Sequence, residues 1–530
     1  MGLNAEQQRA VDSNSDRILC LAGAGGGKTK TLISRINRLV NSGVNPTSIL
    51  VLTFTNAAAA EMKSRYEAEN DTTVTPEFRT FHAFCYSLLC KDSAIRSALG
   101  YTTTPSIISE EKERSIEERA RVQCKITISK EKLKHRDNLT REEQRQAELY
   151  DKAVTRLMLM ENAITFDRLN NLVSELFVSN HPATMPYKFQ YKHICVDEFQ
   201  DTDKVQVGFL NSFSDVNFYF TGDTLQNLYS FRGTSNDYIK ALANSDGWEV
   251  IKLFTNYRST NQICKYANDF SIKYADPVYR VEMQGTRDGE KVHKRFVDPP
   301  IGFSVINNKS IADVVAEYSK LDGTSAILCR TNKEVSAVIS YLNANGVAYT
   351  SKHESKLHQM VSCALSDSTT VNYLASCLSD DKYGEYIRLS AQMKSPDLRW
   401  FLDTYGNIPQ IKSEYDTIDK LRKISVMPGD VEFKMAAVSQ TFNLTEMEFP
   451  EEDYFGDDFL TYLSSLVANV KSNGIYVGTI HSVKGLEYDN VFVMNVGSYN
   501  FKLNNEDEKN LFYVAITRAK NRLYVYELFS

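Results

Sequence analysis

No stretch of this 530-residue chain approaches the roughly 20 consecutive apolar residues of a membrane span, so no spanning helix and no membrane partner is expected. The first residues lack the charged-then-apolar pattern of a secretion signal. Glu6 stands where a myristoylation motif opening at Gly2 wants Ser or Thr. The nine cysteines are scattered without a C-x-x-C pair, which speaks against a zinc or iron–sulfur site and suits a reducing compartment, the cytoplasm. Excess positive charge is missing too: 61 Lys and Arg face 67 Asp and Glu, a net charge of −6. That balance excludes a protein that coats nucleic acid by bulk charge and leaves room for a local basic groove. Short-period repeats and low-complexity tracts are absent, which excludes solenoids and linkers as the main architecture.

Glycine is present where it is costly. LCLAGAGGGKTKTLI, residues 19–33, sets an apolar run against a glycine cluster and then resumes with helix formers. Glycine loses more backbone entropy on ordering than any other residue, so a cluster between two ordered elements needs a reason. A phosphate-binding loop supplies one: backbone N–H groups curl around the anion and the next helix aims its positive N-terminus at it. The strict pattern opens with glycine; Ala22 makes this the looser form. Ala22, Gly23, Ala24, Gly25, Gly26, Gly27, Lys28 and Thr29 form the candidate cradle.

Along the chain, strands alternate with helices, the mark of an α/β fold with parallel sheets. RILCLA (17–22), SILVLTF (48–54), HICVDE (193–198) and NFYFTGD (217–223) are short apolar runs ending in small or polar residues. Sites gather at such C-terminal strand ends. The charged stretch from 92 to 159 reads as a helical insertion in a first domain formed by 1–91 and 160–260. A second strand–helix series begins near residue 301. Residues 261–356 and 474–530 then form the second domain, interrupted by 357–473.

VDEFQD (196–201) closes one of the apolar strands. Asp197 is placed to hold Mg²⁺, since a hard cation with phosphate partners needs few protein carboxylates. Glu198 could orient and deprotonate an attacking water. Acidic pairs at strand ends are also common as solvated turns; the phosphate loop upstream shifts the balance toward nucleotide hydrolysis.

Taken in order, these motifs resemble those of the superfamily 1 helicases of the UvrD, Rep and PcrA type. NAEQQRAV (4–11) resembles the family's adenine-reading motif with Gln8 as reader, and AGAGGGKT (22–29) its phosphate loop. TFTNAAAAEMKSR (53–65) and TFHAF (80–84) resemble its first DNA-contacting segments, and VDEFQDT (196–202) its Mg²⁺ motif. TGDTLQNLYSFRG (221–233), FTNYRST (254–260), GTIHSVKGLEYD (478–489) and FYVAITRAK (512–520) follow in family order. The resemblance implies two RecA-like domains, each with a helical insertion, and ATP and Mg²⁺ as cofactors. It implies that Lys28 and Thr29 take phosphate and metal, Asp197 and Glu198 metal and water, and that Gln226 senses the γ-phosphate. Arg258 and Arg518 are implied to approach that phosphate from the second domain's side, Tyr257 to stack on adenine, and Glu487 to reach the ribose.

Single strands are gripped sequence-tolerantly by base–aromatic stacking worth roughly 1–3 kcal/mol per base. Phe54, Phe81, Tyr229 and Phe231 lie in or beside the motifs, although a lone aromatic is more often core. Tyr229 and Phe231, two apart, share a face if the segment is extended, beside Arg232 and downstream of Gln226. Asn56, His82 and His481 match DNA-contacting positions; the histidines read equally as structural residues. The chain departs from the family at Ala57, where a lysine is usual, at Gly26, where serine is usual, and at Thr224 and Leu225, which replace acidic residues. The expected activity is a 3′ to 5′ translocase on single-stranded DNA that opens single-strand/duplex junctions. The alternative is a DNA-stimulated ATPase acting as a sensing or regulatory subunit of a nuclease-containing defence or repair complex; a nuclease or repair or replication proteins are the expected protein partners. The shortened second insertion keeps that alternative open, and no nuclease domain is expected after Lys520.

Overall fold

Five of the six residues of Arg17–Ala22 (β1) are buried, as a strand covered on both faces requires. Leu19 and Leu21 point into one core with Phe84, Phe177 and Phe209; Ile18, Cys20 and Ala22 point into a second core with Leu32 and Ile36. In this computed structural model the described residues are 2–70, 74–108, 110–134, 136, 139–228, 233–299, 305–351, 437, 474–499 and 501–528. The chain divides into two compact units, Met1–Arg287 and Asp288–Ser530. As expected from the sequence, both are α/β with parallel sheets.

In the first unit, β1 is followed by Ile49–Thr53 (β2), Glu77–Thr80 (β3), Ser106–Ile107 (β4) and Ala163–Ile164 (β5). His193–Val196 (β6), Asn217–Gly222 (β7), Glu249–Leu253 (β8), Thr255–Asn256 (β9) and Gln284–Gly285 (β10) complete it. The main sheet runs β3-β2-β6-β7-β1-β8, all parallel. Because β7 lies between β1 and β6, its end falls between the loop that follows β1 and the carboxylates that follow β6. That strand order assembles the site.

β4 pairs with β5 at the base of a helical excursion formed by Glu110–Gln123, Lys130–Lys134 and Arg141–Met160. It carries satellite cores, one of Ile116, Ala120, Val154, Leu157 and Met158 and another of Ile126, Ile128, Leu133 and Ala147. Residues 261–287, assigned above to the second domain, lie in the first unit. The reason is local: β9 pairs with β10, and Asn261 N, at the start of the helix Asn261–Tyr274, donates to Arg287 O at 2.8 Å.

The second unit contains His293–Val297 (β11), Ser325–Cys329 (β12), Tyr349–Thr350 (β13), Ile475–Thr479 (β14), Tyr488–Val496 (β15) and Ala519–Leu528 (β16). The order is β11-β16-β15-β12-β14-β13, again all parallel. Its core joins Ile327, Val338, Val477, Phe492 and Tyr526. The insertion expected over 357–473 lies outside the described residues, apart from residue 437. Among the described residues no helix is long and apolar enough to cross a membrane.

Candidate nucleotide and nucleic-acid sites

The glycine cluster earns its cost at two positions. Gly25 and Gly27 have φ of +74° and +77°, and Gly27 caps the helix Lys28–Asn41 in the left-handed region. A Cβ on Gly25 would lie 2.6 Å from Arg258 Cβ, and one on Gly27 2.6 Å from Gln7 Nε2. The loop is braced from outside by the segment after β8. Asn256 Nδ2 donates to Ala24 O at 2.6 Å, Tyr257 N to Gly25 O at 3.0 Å, and Asn256 Oδ1 accepts from Arg258 N at 2.9 Å. Arg258 therefore belongs to the first unit, as its place in the 160–260 segment implies, and lies against the loop.

The residue that reaches the loop from the N-terminal helix Ala5–Asp12 is Gln7, not Gln8. Gln7 is buried, donates from Nε2 to Gly26 O at 3.4 Å and accepts from Tyr257 Oη at 3.4 Å. Gln8 points outward and bonds Asp12 at 2.8 Å. The helix buries Gln7, Ala10 and Val11, and Asn4 and Gln7 close a capping box. The first is an i, i+3, i+4 stripe, so both signals are readable in NAEQQRAV.

Behind the loop, Lys28 is 8 % exposed; its Nζ lies 3.4 Å from Ala22 O and 3.7 Å from Glu198 Oε1. Thr29 Oγ1 donates to Asp197 Oδ2 at 3.3 Å, and Thr221 Oγ1, from β7, donates to Asp197 Oδ1. Burial, with the neighbouring Glu198 charge second, pushes the Asp197 carboxyl up to about 6. Glu198 sits at φ +56°, a strained setting for a residue with a side chain and one that clusters at working sites. Gln226 is buried and donates from Nε2 to Asp223 Oδ2 at 2.7 Å, and burial raises the Asp223 carboxyl as well. Thus Ala22 to Thr29, Asp197, Glu198, Gln226, Tyr257 and Arg258 come together at one sheet edge.

In the second unit Arg518 is buried and turned onto its own backbone. Nε donates to Val514 O at 3.1 Å and Nη1 to Leu486 O at 3.3 Å. Glu487 is exposed beside it and pairs with Lys520 at 2.9 Å. His481 lies in the turn Ile480–Val483; burial first, then Arg330 and Lys484, hold its pKa down to about 4. At neutral pH its imidazole is therefore uncharged in the free protein.

The DNA-facing expectations divide. Asn56 and Thr80, at neighbouring strand ends, are joined by a 3.3 Å hydrogen bond, and Phe54 is half-buried beside them. Phe81 is core: it packs edge-on to Phe209, 6.1 Å between centroids, among the buried residues under the sheet. The exposed aromatic here is Phe166, 43 % accessible, set edge-on to His82 at 5.6 Å. His82 also lies 3.8 Å from Asp167 Oδ1. Tyr229, Phe231 and Arg232 lie outside the described residues.

Comparison with known proteins places the chain. Residues 3–246 match the UvrD/REP helicase N-terminal domain, and residues 390–528 match the UvrD-like helicase C-terminal domain. The chain belongs to the UvrD/PcrA-like superfamily 1 helicases, and its two six-stranded sheets are those of two RecA-like domains. It is similar to a putative ATP-dependent DNA helicase, YjcD, of Bacillus subtilis, at 25 % identity over 99 % of this chain and 78 % of that protein. It is also similar to the ATP-dependent DNA helicase PcrA of Staphylococcus aureus, at 26 % over 99 % and 83 %. A probable DNA helicase II homolog of Mycoplasma genitalium is 24 % identical over 99 % and 84 %.

Proposed function

We propose that this protein is an ATP-dependent DNA helicase that couples hydrolysis to 3′ to 5′ movement on single-stranded DNA. The observation that carries the reading is the convergence of Lys28, Thr29, Asp197, Glu198 and Gln226 on the edge formed by β1, β6 and β7. In this reading Lys28 faces the β- and γ-phosphates, Glu198 takes the proton of the water that attacks the γ-phosphorus, and Gln226 registers whether that phosphate is present. Thr29 Oγ1 and the Asp197 carboxylate are paired hard oxygen donors, a set that suits Mg²⁺. When bound, the ion neutralises phosphate charge. Gln7 and Tyr257, in contact with each other and with the loop, are assigned to the adenine. The roles of Arg518 and Glu487 at ATP, the direction of movement and a cytoplasmic location are supported by the family resemblance.

Single-stranded DNA is assigned to the edge of Phe54, Asn56, His82 and Phe166, and to His481 of the second unit. The test is ATP turnover with and without single-stranded DNA, for the wild type and for Lys28→Ala. Turnover that rises with DNA and vanishes in Lys28→Ala at unchanged thermal midpoint supports the reading. Equal turnover with and without DNA, or an active Lys28→Ala variant, contradicts it.

A further inference from the structure

Gln200 follows the carboxylate pair in the 3₁₀ turn Phe199–Asp201 and is fully buried. Its side-chain amide spans two strand ends. Nε2 donates to Glu198 Oε2 at 2.5 Å, and Oε1 accepts from Asp223 N at 3.0 Å. Only this orientation of the amide serves both neighbours, because a carboxylate accepts and a backbone N–H donates. The amide is also confined: a Cβ on Gly222 would lie 3.0 Å from Gln200 Oε1, and the ring of Phe199 stacks on Phe220 of β7 at 4.5 Å.

The connection continues beyond Asp223. Its carboxylate accepts from Leu225 N at 3.0 Å and from Gln226 Nε2 at 2.7 Å. Downstream, Asn227 Oδ1 accepts from Thr234 Oγ1 at 2.8 Å, and Thr234 forms a β-bridge with Asp203. The turn after Asp197 is therefore joined to Asp223 through the buried Gln200 amide, near the carboxylates, and further along Asp203 pairs with Thr234.

We propose that Gln200 is a positioning residue that fixes one oxygen of Glu198 and makes its orientation depend on the placement of the Asp223–Gln226 turn. This rests on the reading of Glu198 as the base of a DNA-stimulated ATPase. Glu198 carries its carboxylate from a strained backbone, within 3.7 Å of Lys28 Nζ. Held by Gln200 through Oε2, the carboxylate keeps Oε1 toward Lys28, and the same amide joins the base to the start of the sensing turn at Asp223.

The test uses the full chain with Gln200→Leu, which removes both hydrogen bonds at similar volume. A second variant, Gln200→Glu, keeps an acceptor for Asp223 N–H and removes the donor toward Glu198. ATP turnover at saturating single-stranded DNA, binding of a fluorescent ATP analogue and thermal midpoint are read on each. The expected kcat falls by about tenfold or more in both variants, a part of the roughly 10²–10⁴-fold that a well-placed general base contributes. KM for ATP and analogue affinity stay within about twofold, the signature of an interaction that serves the chemical step and not binding. The stimulation by DNA shrinks with kcat. Wild-type kcat in Gln200→Glu overturns the proposal, and so does a parallel loss of midpoint, KM and kcat in that variant, which is what a packing role gives. A wild-type chain that hydrolyses no ATP with or without DNA overturns instead the reading on which the proposal rests.

Discussion

At the scale of single residues, the aromatics separate by what supports them. Phe81 opens the helix Phe81–Lys91 and, with Phe84, Cys85 and Leu88, forms its buried stripe. Phe81→Ala should cost about 3–5 kcal/mol of stability and lower every activity together. Phe166→Ala should leave the thermal midpoint nearly unchanged and weaken binding of single strands by about 1–3 kcal/mol. Urea titration and fluorescence anisotropy on the two variants check this, and the reverse pattern would return base stacking to Phe81. The 81, 84, 85, 88 spacing made the core role of Phe81 readable. Phe166 was harder, since it continues the stripe of Leu169, Val173 and Phe177. Only its place in the first helical turn, where the stripe runs past the body of the unit, leaves it accessible. Gln7 was readable from its helix face and its capping partner Asn4; adjacency to Gln8 in an otherwise polar stretch hid it.

At the scale of elements, the interior strands were legible and the edges were not. β1, β2, β6 and β7 are flanked on both sides and read as continuous apolar runs. The sheet edges β3 and β8 alternate buried with half-buried residues, and their short segments carry no comparable signal. The helical excursion announced itself by charge, and its independence follows from its own small cores. Met158, fully buried there, offers a test. Met158→Ala should cost about 2–5 kcal/mol locally. Hydrogen exchange should accelerate over 110–160 while amides of β1 and the helix Lys28–Asn41 keep their protection. Uniform acceleration across the first unit would show that the excursion and the sheet unfold as one.

At the scale of the whole molecule, the two-unit organisation was visible as two strand–helix series, and the point of division was not. It falls after Arg287 because β9 and β10 pair across the intervening helix, a two-residue ladder that leaves no trace in hydropathy. The family assignment is carried by motif order across both units, and the motifs of the first unit meet at one sheet edge as a nucleotide site must. What such a machine does with the energy is a property of the full chain on DNA. Strand displacement by the purified protein, with ATP and Mg²⁺, on duplexes bearing a 3′ or a 5′ single-stranded tail, measures it most directly. The account predicts ATP-dependent displacement from the 3′-tailed duplex and none with Lys28→Ala. Vigorous DNA-stimulated hydrolysis without displacement from either substrate would contradict the helicase assignment and leave a DNA-sensing ATPase in its place.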